Sequence, residues 1–349
     1  MNPLVSILIP AYNAETWVAD AIKSAMAQTW PRKEIIVVDD GSTDRTLPVA
    51  KQYASRTVSV ITQENQGAAG ARNSALALAQ GDYVQWLDAD DLLAPDKVAK
   101  QMEAVARSGD ARMLPSGAWA HFFYRSTRAE FVQTPLWCNL TPAEWLTRKL
   151  ELNLHMQTAN WLVSRELTQA AGPWDVRLFR DNDGEYFCRV ILASSGVTFV
   201  PAARSYYRRS GPLSVSYIGR SNKKLDSLFL SMQLHIKYLL SLEDSPRTRH
   251  ACLTYLHTWT PHYYPERPDV LSQIAALAST LGGELVIPNL SRKYVWLQHA
   301  LGYSRAKRAR LLVRRVKDSC ARSWDRVMFQ VESAVSGSVV SSAPTGQPQ

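Results

Sequence analysis

Two acidic clusters carry the first chemical signal in the chain: Asp39-Asp40-Gly41-Ser42 and Asp88-Ala89-Asp90-Asp91. Carboxylate oxygens favour hard cations such as Mg²⁺ or Mn²⁺, and such an ion takes the rest of its shell from water and phosphate. The Asp-x-Asp of the second cluster suits an ion that neutralises a diphosphate. Asp39 and Asp40 offer acceptors for a base N–H. A third polar group, Pro10-Ala11-Tyr12-Asn13, supplies Tyr12 as a ring that could pack on a base or ribose. Each group alone reads as an ordinary turn or helix cap. Their joint placement carries the argument.

That placement follows from the hydrophobic pattern. Residues 4–10 form a short apolar run, consistent with a buried strand. Residues 15–28 place Trp17, Val18, Ala21, Ile22 and Ala25 at helical spacing. Residues 34–42 read as a second strand ending in acid and glycine, and Ser42, Thr43 and Asp44 offer caps for a helix to about residue 53. A strand at 57–62, a helix at 67–79, a strand at 82–87 and a helix at 95–107 complete the alternation. This predicts an α/β fold, a Rossmann-like and mostly parallel sheet with helices on both faces. Ligands bind outside the carboxyl ends of such strands, where all three polar groups fall, so five carboxylates are expected on one rim. Further on, helices are predicted at 142–150, 165–171 and after Asp183, with strands at 198–200 and 205–208. Residues 222–335 read as mainly helical, and 336–349, rich in Ser, Gly and Pro, as a disordered tail.

With 349 residues, 46% of them apolar, the chain can bury a sizeable core and is not a disordered protein. No apolar run of about 18 residues marks a transmembrane helix. The N-terminus lacks the basic segment of a signal peptide. Cys138, Cys188, Cys252 and Cys320 are widely spaced, without zinc spacing, and read as free buried thiols in a reducing cytosol. The net charge of +9 is local: residues 292–326 hold eleven Lys/Arg against Asp318 and Asp325, and the remainder is neutral. No nucleic-acid motif accompanies this charge, so nucleic acid is not an expected partner.

The stretches VSILIPAYNAE, EIIVVDDGSTD, NQGAAGARN and GDYVQWLDADDLLAPD resemble the family 2 glycosyltransferases with a GT-A fold, densely over about residues 3–100. The resemblance resumes at GPWDVRLFRDNDGEYFCRV and YYRRSGPLSVS. It implies transfer of a sugar, with inversion, from a nucleotide-diphosphate sugar (a UDP-sugar as the expected donor) to an acceptor hydroxyl. Asp40 would hold the pyrimidine, flanked by Pro10 and Tyr12. Ala11, Asn13, Ser42, Asn65, Gly70, Asp88 and Ala89 would line the donor, and Arg72 would lie near the nucleotide. Asp88 and Asp90 would hold a divalent metal. Asp183 matches the general base, with Glu185 as second choice. Read without the resemblance, Asp183 is a helix N-cap and Arg72 an exposed salt-bridging residue. Some relatives carry a His after the Tyr-Arg pair, where this chain has Arg209 and Ser210, so Arg208 or Arg209 could meet the diphosphate. Trp174 or Trp137 could stack on a sugar, although each alone is more often core. His155 reads as structural rather than as an acceptor contact.

The expected division is a nucleotide-sugar half at 1–108, an acceptor and catalytic half at 109–217, a helical region at 218–335 and the tail. The helical region contains a basic amphipathic helix, with Ala309, Leu312, Val316 and Cys320 on one side and Lys307, Arg310, Arg314 and Lys317 mostly opposite. Such a helix suits an anionic membrane surface, and its alternative is a docked helix with a solvated basic face. The expected setting is cytoplasmic, peripheral on the inner face of a membrane, with a glycan or lipid-linked acceptor. Two other functions remain open from sequence: a nucleotidyltransferase, and a non-catalytic sugar-nucleotide binder or scaffold.

Overall fold

The computed structural model describes residues 2–210, 221–287 and 292–341. Strand and helix alternate at first: β1 (Val5–Ala11), α1 (Val18–Met26), β2 (Lys33–Asp39), α2 (Thr46–Lys51), β3 (Val58–Thr62), α3 (Gly67–Leu78), β4 (Tyr83–Trp86), β5 (Leu92–Leu93) and α4 (Lys97–Ser108). There follow β6 (Met113–Phe122), α5 (Pro142–Glu151), β7 (Val163–Ser164), α6 (Arg165–Ala171), α7 (Asn182–Ala193) and β8 (Gly196–Arg208). The remainder is helical: α8 (Asn222–Leu242), α9 (Pro246–Trp259), α10 (Pro268–Thr280), α11 (Arg292–Leu301) and α12 (Tyr303–Ser341).

The main sheet has the order β3-β2-β1-β4-β7. β1 pairs in parallel with β2 and β4, and β2 with β3; β7 closes the edge antiparallel to β4. Both faces are covered, and successive residues alternate between them as the pleat requires. Val5, Ile7, Ile9, Ile35 and Val37 pack with Val18 and Ile22 of α1 and Val98 and Met102 of α4. Leu8, Ile36, Val38, Val84 and Trp86 face the other way, into a core shared with α3, α6 and α7. A second sheet has the order β5-β8-β6.

The chain forms two compact units. The first comprises residues 2–120, 131–207 and 221–287, and the second 121–130, 208–210 and 292–341. Helices α8 to α10 belong to the first, because Leu228, Met232 and Ile236 of α8, Tyr255 of α9 and Ile274 of α10 extend the core that holds Trp86 and Phe187.

The expected strand–helix alternation is present: α2 starts at Thr46 just after the expected caps, Asp44 Oδ1 accepting from Thr46 N at 2.9 Å, and ends at Lys51. There are three differences. The two short strands expected near 198–208 are one continuous strand, β8. Strand β6 was not expected, since Pro115 and Gly117 interrupt its pattern; Gly117 lies so close to β8 that a Cβ there would press on the Ala203 carbonyl. The expected tail at 336–349 is helical as far as Ser341, the end of α12, and its last eight residues lie outside the described part.

Candidate active site

The loops after β1 and β2 are laced together by their own polar side chains. Asn13 takes a left-handed backbone, φ 47°, which asparagine tolerates. Its N–H donates to Ser42 Oγ at 3.0 Å, and its Oδ1 accepts from Thr43 N at 2.9 Å. Ala14 N donates to Thr46 Oγ1 at 2.7 Å. Asn13 and Ser42 therefore shape the rim. Tyr12 stands beside them half exposed, while Ala11 is buried.

Gly41 carries the turn after β2 at φ 70°, close against the backbone of Asn65, so that a side chain there meets both strain and crowding. Asp40 is buried at this turn. Its Oδ1 accepts from Gln63 Nε2 at 2.8 Å and Gln66 N at 2.9 Å, and its carbonyl accepts from Asn65 Nδ2 at 2.9 Å. One carboxylate oxygen is thus fixed by the protein, which orients the other. Gly70 lies buried on α3, packed against Gln66 of its own helix.

Arg72 is the centre of the next layer. It is buried, not exposed, with its guanidinium 4.4 Å from the centre of the Trp174 ring. Its Nη2 donates to Asp88 Oδ1 at 2.6 Å and its Nη1 to Asn182 Oδ1 at 3.3 Å. A charge-assisted bond of this length holds Asp88 firmly. One side chain on α3 therefore ties the end of β4 to the first turn of α7, where Asp183 sits. A second bridge runs beside it. Gln157 Nε2 donates to Asp91 Oδ2 at 2.5 Å, and the adjacent Thr158 places Oγ1 3.5 Å from Asp183 Oδ2. Segments far apart in sequence thus bring Asp88, Ala89, Asp90 and Asp183 into one neighbourhood. Asp88, Asp90 and Asp183 are all half-buried.

Helix α8 fixes the start of α7. Ser227 Oγ donates to the Arg180 carbonyl and accepts from Arg180 N, each at 3.0 Å. Ser231 Oγ donates to Asp181 Oδ2 at 2.9 Å. Asp181, at φ 57°, is the residue that precedes the helix, so the capping position is one the alternative reading had given to Asp183. Asp183 lies inside the first turn, where the helix N-terminus favours a negative charge.

Several expectations are corrected here. Five carboxylates do not face one rim: Asp39 is buried and accepts from Thr62 Oγ1 at 2.9 Å, and Asp91 is buried against Gln157. Glu185 is buried in a cage of Arg189 at 2.7 Å and the Tyr238 hydroxyl at 2.6 Å, so it is not placed to take a proton from a substrate. Burial and this carboxylate push the Tyr238 hydroxyl pKa up. Trp174 is 1% exposed and stacks on Tyr186 at 4.1 Å, leaving no face for a sugar. Trp137 is buried and stacks on Phe199.

His155 is exposed, with its ring centre 4.8 Å from that of Trp119. Arg208 and Arg209 belong to the second unit. There Arg208 Nη1 donates to the Phe123 carbonyl at 3.1 Å, and Arg209 lies 3.7 Å from Asp318. The Gly211–Ser216 part of their motif lies outside the described residues.

Sequence reading missed Gln157, Thr158, Asn182, Ser227 and Ser231, which position the acids. Among the described residues, no group of three or more His, Cys, Asp or Glu is arranged to hold a metal ion. Mg²⁺ needs only one or two carboxylates when a diphosphate and water complete its shell. The donors at the end of β4 are carboxylate oxygens with no thiolate or imidazole, which fits a hard cation of that kind.

Residues 6–167 match the family described as Glycosyl transferase family 2. A Bacillus subtilis glycosyltransferase named for teichuronic acid biosynthesis, TuaG, is 47% identical over 105 residues, 29% of this chain and 42% of that protein. The chondroitin synthase of Escherichia coli is 45% identical over 98 residues, 28% of this chain and 14% of that protein. The chain spans less than half the length of the curated relatives it matches. Among solved structures, S. aureus TarS 1-349 in complex with UDP-GlcNAc aligns with TM-score 0.63 at 17% identity, covering 80% of each chain. The GT-A fold is thereby shared, and the chain is a homologue of the family 2 glycosyltransferases.

Proposed function

We propose that this homologue of the family 2 glycosyltransferases moves a sugar from a nucleotide-diphosphate sugar to an acceptor hydroxyl with inversion. The observation that carries this reading is the Arg72 bridge, which joins Asp88 at 2.6 Å to Asn182 at 3.3 Å and so sets the Asp-x-Asp beside Asp183.

The roles follow from the side chains. Asp40, oriented through one oxygen, accepts a base N–H with the other. Tyr12 packs on the base or ribose. Asp90, with Asp88, would hold a Mg²⁺ or Mn²⁺ ion, which when bound neutralises the diphosphate leaving group. Asp183 accepts the proton of the acceptor hydroxyl as its oxygen attacks the anomeric carbon. The bond from that carbon to the diphosphate oxygen breaks on the opposite face, and the nucleoside diphosphate leaves with the electron pair. One base suffices and no enzyme nucleophile is needed, which fits a site where the second candidate, Glu185, is locked away. A positioned carboxylate of this kind contributes about 10²–10⁴-fold.

UDP is the proposed nucleotide, supported by the UDP-GlcNAc complex of the structural relative. The acceptor is proposed to be a glycan or a lipid-linked glycan in cell-surface polysaccharide or glycolipid synthesis, supported by the teichuronic acid and chondroitin names of the relatives. The proposed setting is the cytoplasmic face of a membrane, held peripherally. Among the described residues, no helix is long and apolar enough to cross one.

The test is product analysis with a panel of sugar nucleotides and Mn²⁺. Release of nucleoside diphosphate, abolished by Asp183→Asn in the presence of acceptor, supports the reading. Release of sugar 1-phosphate instead of nucleoside diphosphate identifies a nucleotidyltransferase. Binding without any release identifies a non-catalytic binder.

A further inference from the structure

Helix α12 has two faces of different character. One is docked within the second unit. Asp325 accepts from Arg125 Nε at 2.7 Å and from the backbone N–H of Tyr124 at 2.9 Å. Glu332 lies 2.9 Å from Arg125, Asp318 lies 3.7 Å from Arg209, and Phe329 packs near the Tyr124 ring. All three acids of residues 303–334 are used in this way, against nine Lys/Arg in the same stretch.

The other face is apolar and uncovered. Leu312, Val316, Cys320, Trp324, Val327 and Val331 recur at intervals of three and four, which places them in one stripe. Leu312, Val316, Trp324, Val327 and Val331 are each more than half exposed. The stripe runs about 30 Å along the helix at about 1.5 Å per residue. At helical spacing the docked acids fall on the side opposite to it. Exposed basic residues border it on both edges, Arg310 and Lys317 on one and Arg308 and Arg326 on the other.

We infer that this stripe lies in the interface of an anionic lipid membrane, with its basic borders against the headgroups. Charge complementarity selects that occupant. The helix's own acids are turned away and committed to Arg125 and Arg209, so the borders meet lipid phosphate as net positive charge. A second copy docking on the same stripe would bring two sets of arginines together. An apolar strip with cationic edges and an exposed tryptophan is the pattern of a helix that lies in the membrane plane. The inference gives a surface to the peripheral setting proposed above, and it does not depend on sugar transfer.

The experiment is co-sedimentation of the full chain with phosphatidylcholine vesicles, with and without phosphatidylglycerol, and without sugar nucleotide. The expected result is binding to the anionic vesicles only, weakened by salt. The double variants Val316→Glu/Trp324→Glu and Arg310→Glu/Lys317→Glu should each weaken it about tenfold or more, with unchanged circular dichroism. Absence of binding by the wild-type chain, or equal binding to neutral vesicles, overturns the inference. So does a concentration-dependent dimer, seen without vesicle binding and lost in Val316→Glu/Trp324→Glu, which assigns the stripe to a second copy. Because no donor is present, failure here leaves the reading of the first unit standing, and failure of donor turnover leaves this one standing.

Discussion

Asp183 and Glu185 are two residues apart on one helix turn, and their surroundings separate their roles. Asp183 is half-buried beside the end of β4, whereas Glu185 is enclosed by Arg189 and Tyr238. Asp183→Asn should therefore bind donor like wild type and lose transfer by about 10²–10⁴-fold, measured as kcat with KM for donor unchanged. Trp174 belongs to the core, so Trp174→Ala should lose about 3–5 kcal/mol of stability in urea unfolding. A sugar-stacking residue would instead raise KM with stability intact. His235 is buried, its Nδ1 3.0 Å from the Tyr255 hydroxyl, and burial pulls its pKa down to about 3. Below about pH 6.5 the unfolded chain takes up a proton that the native chain refuses, so stability falls as pH falls toward 3, by up to about 1.4 kcal/mol per pH unit from this residue. His235→Gln should show a shallower loss of urea midpoint between pH 6 and pH 4 than wild type. The acids at strand ends were legible in sequence because apolar runs stop at them. The Arg72–Asp88 pair was not, since no local pattern marks a side chain that reaches from a helix to a neighbouring strand.

At the scale of elements, the parallel sheet was legible wherever strands are buried on both faces and read as unbroken apolar runs, as in β1 and β2. Strand β6 escaped because Pro115 and Gly117 look like a turn. Their use is structural: the Pro115 carbonyl accepts from Leu162 N at 3.3 Å, and Gly117 lets β8 approach. Gly117→Ala should cost about 1–3 kcal/mol through forced separation of these strands, read from thermal or urea unfolding. Helix α8 carried no motif, yet Ser227 and Ser231 hold the turn before α7. Their contribution lies in tertiary register, which a periodic pattern does not encode. Ser231→Ala should leave donor affinity unchanged and lower kcat, by loosening Asp181 and with it the turn that bears Asp183.

At the scale of the molecule, the sequence divided the chain at its change from strands to helices. Packing divides it elsewhere, because α8 to α10 share the core of the sheet and only the last two helices, with 121–130 and 208–210, form a separate unit. The pairing of Arg125 with Asp325, two hundred residues apart, is invisible to local reading. Asp325→Ala should speed amide exchange along α12 while leaving β1 and β2 protected. The central claim, that Asp40, Asp90 and Asp183 serve one donor site in separate roles, is tested most directly by calorimetric titration of UDP-sugar with Mn²⁺. The account predicts that the wild type and Asp183→Asn bind alike, while Asp40→Ala and Asp90→Ala each lose at least about tenfold, or about 1.4 kcal/mol. Undiminished Mn²⁺-dependent binding by Asp90→Ala, or binding lost in Asp183→Asn but kept in Asp40→Ala, would contradict it.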